Sequence, residues 1–530
     1  MVTIAPKKEI LLPNERMKTQ LTLRKIKISN SQLKRRLMEI FKEKSNILDI
    51  NPETIPIDPN FKNSFYNSQD KESFLVQYLI SNSNIDDNLL KYIILNLRIF
   101  AYSLLEPIQP NSSIRIESCF SEDAITKIIN LMFYNRNNSD LIFILSQILS
   151  ASTCISSSIC LYCSNEKNIK MLYEIFGVQN KNIQSIFLNI FSNCLMENSY
   201  MTILKETNIE NFLVASIILP NNNEIKGMSF DFIEVAISAF NSLIRDDTIN
   251  YIMDDILSCI PSLFKYIKIG YSLTLTGCAF QIIGKYFKNL NKESLKFEES
   301  FQIIDLNIFY SFIKYTNENK KLNEKMLIEI YSILSNLCYL NNNIIYEIID
   351  EVDYNLIEKT GELIDNHNNL EYKKEDVLYE ISIFLNNLAI IQDSRVIIIK
   401  KTNIIKNFID ILDKEKLNKG LIEMMLSFFY VLTRESNKMI YMDLLCNDFH
   451  EKVLLKFLKD STTTNDELNY ILWIILEFCE NLGNIQSSGN FLKNCFDKLN
   501  ITQLIHNLIT IKKNENISQR AEKIFDILNN

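Results

Sequence analysis

Glycine is scarce in this sequence: the chain has nine glycines among 530 residues, far below the roughly 7% that is typical of proteins. Tight turns between strands depend on glycine, so its scarcity argues against a fold rich in sheets. Proline is also scarce beyond the N-terminal region, because only Pro220 and Pro261 follow Pro110. Helices can therefore run with little interruption. The composition predicts an all-α protein with a large core, since 47% of its residues are hydrophobic.

Residues that carry common enzyme chemistry are scarce as well. Three histidines are present, and none forms a pair at metal-binding spacing. The segment CISSSICLYC (154–163) holds three cysteines, but no second Cys or His pair follows nearby in the sequence to close a zinc site. The segment GCAFQIIGK (277–285) lacks the spacing and the Ser/Thr of a phosphate-binding loop. We therefore expect no metal, no cofactor and no enzymatic activity.

Charged residues are missing from one long stretch, Leu141–Asn165, which has the length of a membrane span. Seven serines lie within it. We interpret it as two helices around a serine-rich turn, and a membrane span is the less favoured alternative. The eleven cysteines are scattered through helical patterns, as expected for reduced thiols of a cytosolic protein.

Charge is distributed unevenly along the chain. Residues 1–44 hold 12 Lys/Arg and four Glu, whereas the remainder holds 44 basic and 60 acidic residues. The basic segment thus carries a net charge of +8 and the body one of −16. An acidic body repels nucleic-acid phosphates and attracts basic peptides. We expect no nucleic-acid partner and no membrane insertion.

The pattern of residues divides the chain into three parts. The basic segment 1–44 is followed by a stretch, 45–70, in which three prolines predict a flexible linker without helix. From residue 71 to 530, apolar residues recur at helical spacing. A segment at 326–340 (MLIEIYSILSNLCYL) resembles one at 377–391 (VLYEISIFLNNLAII), and similar segments recur every 43 to 51 residues. This period predicts an α-solenoid of about ten units with a concave groove.

The basic segment contains the stretch LRKIKISNSQLKRR (23–36), in which LRK is followed by a basic and polar run and then by a leucine and KRR. This pattern resembles the importin-β-binding segment of the importin-α (karyopherin-α) family. The matching residues are Leu23, Arg24, Lys25, Lys27, Leu33, Lys34, Arg35 and Arg36. The resemblance implies binding to an importin-β-type carrier and, without a carrier, autoinhibition by Lys34–Arg36. A solvated helix, a nucleic-acid arm and a membrane-surface segment are the alternatives for this stretch.

The repeats are also similar to those of importin-α, which is a right-handed solenoid of armadillo repeats. The segment NLRIFAYSLLEPIQ (96–109) resembles the first repeat of the family, and Gly284-Lys285 occupies the place of a Gly-Asn pair in the fifth. In the family, Trp and Asn one helical turn apart on the third helix of each repeat hold an extended basic peptide. The corresponding positions here are Phe143 and Gln147, Asn189 and Asn193, Ser238 and Ser242 with Asn241 beside them, Ser332 and Asn336, and Ile383 and Asn387.

The resemblance implies a nuclear import adaptor. It would bind nuclear-localisation-signal peptides of cargo proteins in the groove and shuttle between cytoplasm and nucleus. The aromatic positions are nearly all replaced, and the one tryptophan, Trp473, is expected to pack in the core among apolar neighbours. A repeated asparagine is equally consistent with capping of helix ends and turns. The alternative function is an armadillo-repeat scaffold for cytoskeletal or signalling partners without transport activity.

Overall fold

A computed structural model of the chain describes residues 51–529 apart from several short segments. The segments outside the description are 83–84, 104–111, 197–202, 205, 219–229, 246–247, 270–271, 295, 320–323, 351–354, 368–374, 415–416, 435, 437, 483–485 and 512–514. The described residues form 28 α-helices and contain no strand, which confirms the predicted all-α class. They fall into two compact units, one within Met1–Leu263 and Gly270–Cys278 and the other within Phe264–Ile269 and Ala279–Asn530.

The first unit contains eleven complete α-helices among its described residues. They are α1 (Pro59–Asn67), α2 (Lys71–Ser81), α3 (Asp87–Ser103), α4 (Ser112–Cys119), α5 (Glu122–Tyr134), α6 (Ser139–Ile155), α7 (Ser157–Cys163), α8 (Glu166–Val178), α9 (Lys181–Met196), α10 (Ile209–Ile218) and α11 (Phe230–Leu243). The division between the units falls within α12 (Met253–Ile269) and α13 (Leu273–Asn289).

The second unit continues the same succession of helices. They are α14 (Phe297–Gln302), α15 (Leu306–Asn319), α16 (Glu324–Leu340), α17 (Asn342–Asp350), α18 (Asn355–His367), α19 (Glu375–Leu388), α20 (Gln392–Lys401), α21 (Ile404–Lys414), α22 (Lys419–Thr433), α23 (Lys438–Cys446), α24 (Lys456–Lys459), α25 (Asn465–Leu482), α26 (Gln486–Lys498), α27 (Ile501–Ile511) and α28 (Glu515–Asn529). A turn of π-helix, His450–Leu455, precedes α24.

Helices of successive repeats stack in parallel layers within each unit. In the first unit α3, α6, α9 and α11 form one layer, in which each helix packs on the next. In the second unit α16, α19, α22, α25 and α28 form the equivalent layer. We call the members of these two layers the third helices. The helices that directly precede the third helices also stack on one another, as α15, α18 and α21 do. Each repeat thus buries the apolar face of its neighbour, as the predicted repeat array requires.

The stretch 45–70, which was predicted to be a flexible linker without helix, contains a helix. Helix α1 begins at Pro59, and the side chain of Asp58 caps it by accepting a hydrogen bond from the backbone N–H of Asn60 at 3.0 Å. Proline is tolerated in the first turn of a helix, where its missing N–H costs no hydrogen bond. The rings of Phe61 and Phe65 are buried against Tyr92 of α3. The linker prediction is therefore wrong for residues 59–67, which belong to the folded body.

The uncharged stretch 141–165 forms two helices, as predicted. Helix α6 ends at Ile155 and α7 begins at Ser157, with Ser156 between them in an extended conformation. The Ser156 hydroxyl accepts a hydrogen bond from the backbone N–H of Ile159 at 3.3 Å and so caps α7. Among the helices of the described residues, none combines the length and the hydropathy of a membrane span.

Arginine side chains join consecutive repeats at the ends of the third helices. In the first unit, Arg245 donates from Nη1 to the carbonyl oxygens of Leu195 and Met196 at 3.0 and 3.1 Å. In the second unit, Arg395 donates from Nε to the carbonyl oxygen of Ala389 at 2.6 Å and from Nη1 to the Ser436 hydroxyl at 2.8 Å. Carbonyl groups at a helix end lack partners within the helix, so each guanidinium stabilises a helix end while it fastens two repeats together.

Candidate functional site

The candidate binding surface is formed by the third helices, which carry all the predicted groove positions. Gln147, Asn189, Asn193 and Asn387 are buried, and Phe143, Ser238, Asn241, Ser242, Ser332, Asn336 and Ile383 are half-buried. The five pairs of this set lie on α6, α9, α11, α16 and α19 in that order. Their role in peptide binding stays a prediction. The predicted carrier-binding residues, 23–36, lie outside the described residues, as does the segment 104–109 of the first repeat.

In the first unit, side-chain amides of the third helices bond to neighbouring third helices. Asn193 on α9 donates from Nδ2 to the Thr153 hydroxyl on α6 at 3.0 Å. Gln147 on α6 accepts a 2.6 Å hydrogen bond at Oε1 from Nε of Arg98 on α3. These two bonds link α3, α6 and α9 in sequence. The amides therefore stabilise the stack of repeats, a role that the sequence pattern alone did not separate from peptide binding.

The second unit repeats this arrangement. Asn387 on α19 is 4% exposed and donates from Nδ2 to the carbonyl oxygen and the hydroxyl of Ser335 on α16, at 3.0 and 2.9 Å. Its neighbour Asn386 donates to the Ser427 hydroxyl on α22 at 3.0 Å. One pair of adjacent asparagines thus binds the preceding and the following third helix. The sequence contained the recurrence of asparagine but gave no indication of its partners.

Two amide donors of the first unit have no hydrogen-bond partner among the residues that the structure describes. They are Nε2 of Gln147 and Nδ2 of Asn189, and each of these two side chains is 1% exposed. A buried N–H without a partner costs free energy, which an acceptor placed against it recovers. Chemically, these donors fit a carbonyl oxygen of an extended chain or a water molecule. Access to either donor requires the surrounding side chains to move, because both are covered.

Charge distinguishes the third helices of the two units. In the first unit, α3, α6, α9 and α11 carry four acidic and three basic residues, a net of −1. In the second unit, α16, α19, α22, α25 and α28 carry 13 acidic and four basic residues, a net of −9. The acidic side chains are distributed over all five helices of the second unit, so their potential extends along the layer. A surface of this kind attracts cationic ligands.

Glu423 shows how closely the acidic groups of neighbouring third helices approach. Burial raises the pKa of this carboxyl group, and the charges of Asp466 and Glu467 on α25 raise it further. Like charges disfavour the ionised form of each group. A cation placed between α22 and α25 would relieve this repulsion.

An aromatic cluster on α22 and α25 was missed by the sequence argument. The ring of Tyr430 lies 6.0 Å from that of Trp473 and 6.2 Å from that of Tyr470, measured between centroids. All three side chains are half-buried. The prediction that Trp473 packs in the core is therefore wrong. One face of its indole contacts the guanidinium of Arg520, whose Cζ lies 4.0 Å from the centroid of the ring. Tyr430 and Trp473 lie one repeat apart in sequence, and this recurrence of aromatics was the available signal.

Comparisons with known proteins identify the fold but no close relative. No family model matches the chain, and no curated protein matches it either. An engineered protein matches at 11% identity over 87% of this chain and 100% of its own, with a TM-score of 0.65. A structure concerning the phosphorylation switch that controls the interaction between cadherin and beta-catenin matches at 13% identity over 89% of this chain and 93% of its own, with a TM-score of 0.51.

The fold and the candidate surface together define the class of protein. The chain is an all-α solenoid, which confirms the predicted fold class. Within the described residues, no group of His, Cys, Asp and Glu side chains is arranged to hold a metal ion.

Proposed function

We propose that this armadillo-type solenoid is a nuclear import adaptor of the importin-α kind. It binds basic cargo peptides along the third helices and recruits an importin-β-type carrier through residues 1–44, shuttling between cytoplasm and nucleus. The observation that carries the proposal is charge complementarity. The segment 1–44 has a net charge of +8, and the third helices of the second unit have one of −9. The basic segment and a basic cargo peptide would therefore compete for the same acidic surface.

This competition gives the adaptor a way to couple its two partners. A carrier that sequesters residues 1–44 removes the internal competitor and raises the affinity for cargo, and by linkage cargo raises the affinity for the carrier to the same extent. The resemblance of residues 23–36 to the importin-β-binding segment supports the identity of the carrier. Third-helix amides committed to neighbouring helices, such as that of Asn387, favour a peptide site that depends more on acidic and aromatic side chains than on asparagine clamps.

The test is binding of a purified importin-β carrier to the full chain. Substituting Lys34, Arg35 and Arg36 with Ala is expected to weaken carrier binding by about tenfold or more, since three charge-assisted contacts are lost. Substituting Lys42 and Lys44 with Ala serves as the control, because these residues lie outside the matched pattern. Deletion of residues 1–44 is expected to tighten binding of a basic peptide. This deletion leaves α1 intact, which begins at Pro59.

Absence of carrier binding to the full chain would contradict the adaptor function. The second candidate, an armadillo-repeat scaffold for cytoskeletal or signalling partners, is favoured by the use of Asn193 and Asn387 to join repeats. In that case the chain would bind no carrier, and it would be absent from the nuclear rim in cells. Proteins recovered with it would not be enriched in nuclear proteins with basic segments.

A further inference from the structure

Arg520 occupies an unusual position on the aromatic cluster of the second unit. This residue lies on α28, the last third helix, and its guanidinium lies over the indole of Trp473 on α25, with Cζ 4.0 Å from the ring. Its Nη1 donates to Oδ1 of Asn469 at 2.7 Å. The guanidinium is therefore held both by an aromatic face and by an amide oxygen. The ring of Tyr430 lies beside the indole, with 6.0 Å between the two centroids.

The guanidinium has lost part of its hydration without gaining a carboxylate. Burial lowers the pKa of Arg520, and its side chain is half-buried. No carboxylate forms an ion pair with it among the residues that the structure describes. Cation–π attraction and one hydrogen bond to a neutral amide are therefore what keep it in place. An arrangement of this strength is open to competition from a ligand that brings several positive charges.

We propose that Trp473, Tyr430 and Asn469 form a cation slot that Arg520 fills from within the chain, and that an arginine or lysine of a basic partner peptide displaces Arg520 to bind there. The slot would then be regulated by its own occupant. The proposal rests on the proposed function, since it assumes that the third helices of the second unit bind basic peptides. It assigns a particular subsite to that surface and a residue that weakens binding there.

The acidic residues near the slot give an incoming peptide its advantage over Arg520. Glu423 on α22 and Asp466 on α25 lie close enough for the charge of Asp466 to raise the pKa of Glu423. Glu477 follows Trp473 by one helical turn on α25. A peptide with several cations contacts the slot and these carboxylates together, whereas Arg520 contributes one charge. Displacement exchanges one cation–π contact for another and adds electrostatic contacts.

The experiment uses the full chain and an octapeptide of alternating Lys and Arg. Trp473 is the only tryptophan in the sequence, so the emission of the wild-type protein reports on the slot directly. Arg520→Ala empties the slot and is expected to tighten peptide binding by about three- to tenfold, the scale of one partly desolvated cation–π contact. Arg520→Gln, which retains a hydrogen-bond donor, is expected to give a similar gain and guards against instability of the Ala variant. Peptide binding is expected to shift the emission of Trp473 in all three proteins.

The matched control is Lys523→Ala, which removes a positive charge from the same helix. Lys523 pairs with Glu480 at 2.6 Å and makes no contact with the slot. If its gain equals that of Arg520→Ala, a general change in charge explains the result and the slot proposal is overturned. Unchanged or weaker binding by both Arg520 variants also overturns it, as does binding that leaves Trp473 emission unaffected.

The outcome separates this proposal from the proposed function. If the wild type and the Arg520 variants bind the peptide with equal affinity, the proposal of a slot regulated by Arg520 is contradicted. The proposed adaptor function is not affected by that result. Failure of every variant to bind the octapeptide, both as the full chain and after deletion of residues 1–44, contradicts peptide binding by the second unit, and the slot proposal with it. Carrier binding through residues 1–44 does not involve Arg520 and is measured independently.

Discussion

The third helices of the two units share one architecture and differ in the chemistry of their faces. In the first unit they are almost neutral, with a net charge of −1, and their predicted site residues are three buried amides and the half-buried Phe143, Ser238, Asn241 and Ser242. In the second unit they carry a net charge of −9 and the Tyr430, Tyr470 and Trp473 cluster. The repeat pattern thus fixes how the helices stack, whereas the residues at partly exposed positions are free to diverge. We therefore expect cationic ligands to bind to the third helices of the second unit.

The largest effect that we expect concerns stability. Asn387→Ala removes two hydrogen bonds to Ser335 from a buried position and leaves the Ser335 groups without this donor. The expected cost is about 1–3 kcal/mol, seen as a lower midpoint in thermal unfolding followed by circular dichroism. The control is Asn336→Ala on α16, whose side chain is half-buried and which should change stability by less than about 0.5 kcal/mol. Equal effects would show that the bond to Ser335 contributes nothing specific.

A smaller effect is expected when acidic residues are neutralised in each unit. Glu423→Gln with Asp466→Asn should weaken binding of the basic octapeptide by about fivefold at low salt, given about 0.2–1 kcal/mol for each exposed charge pair. The effect should shrink as ionic strength rises. Asp87→Asn with Asp140→Asn removes two charges from third helices of the first unit and should leave the affinity nearly unchanged. A larger loss from this second pair would reverse the comparison between the units.

The smallest effect concerns the pH dependence of stability. Burial and the charges of Asp466 and Glu467 raise the pKa of Glu423 in the folded protein above its value in the unfolded chain. The stability that its protonated form provides is therefore complete below the unfolded pKa and is lost as the pH rises through the folded pKa. Glu423→Gln should raise the midpoint of thermal unfolding by about 1 °C at pH 7.5. The difference between the two proteins should disappear at pH 4, and a gain that persists there would have another cause.

Much of the fold was predictable because helical periodicity and repetition are local properties. Helix α6 and helix α7 meet at Ser156 as the serine-rich turn indicated. The site was less predictable, since a side chain's function depends on a partner one repeat away. The contact of Arg520 with Trp473 joins two helices that are not adjacent in sequence. The prediction that residues 59–67 contain no helix was wrong for another reason. A proline interrupts a helix when it lies in the interior but is tolerated in the first turn, so its presence alone does not exclude a helix.

The side-chain bonds between repeats have a consequence for how the protein loses its structure. Arg245 ties the end of α9 to the following repeat, and Arg395 ties the repeats of α19 and α22 together. In a linear array, cooperativity depends on the free energy of each interface relative to that of each repeat. These two arginines add to the interface terms. Each one therefore extends the length of chain that unfolds as one block. A partly unfolded molecule whose boundary lies at one of these arginines loses the hydrogen bonds that the arginine makes between repeats, and its free energy is higher for that reason.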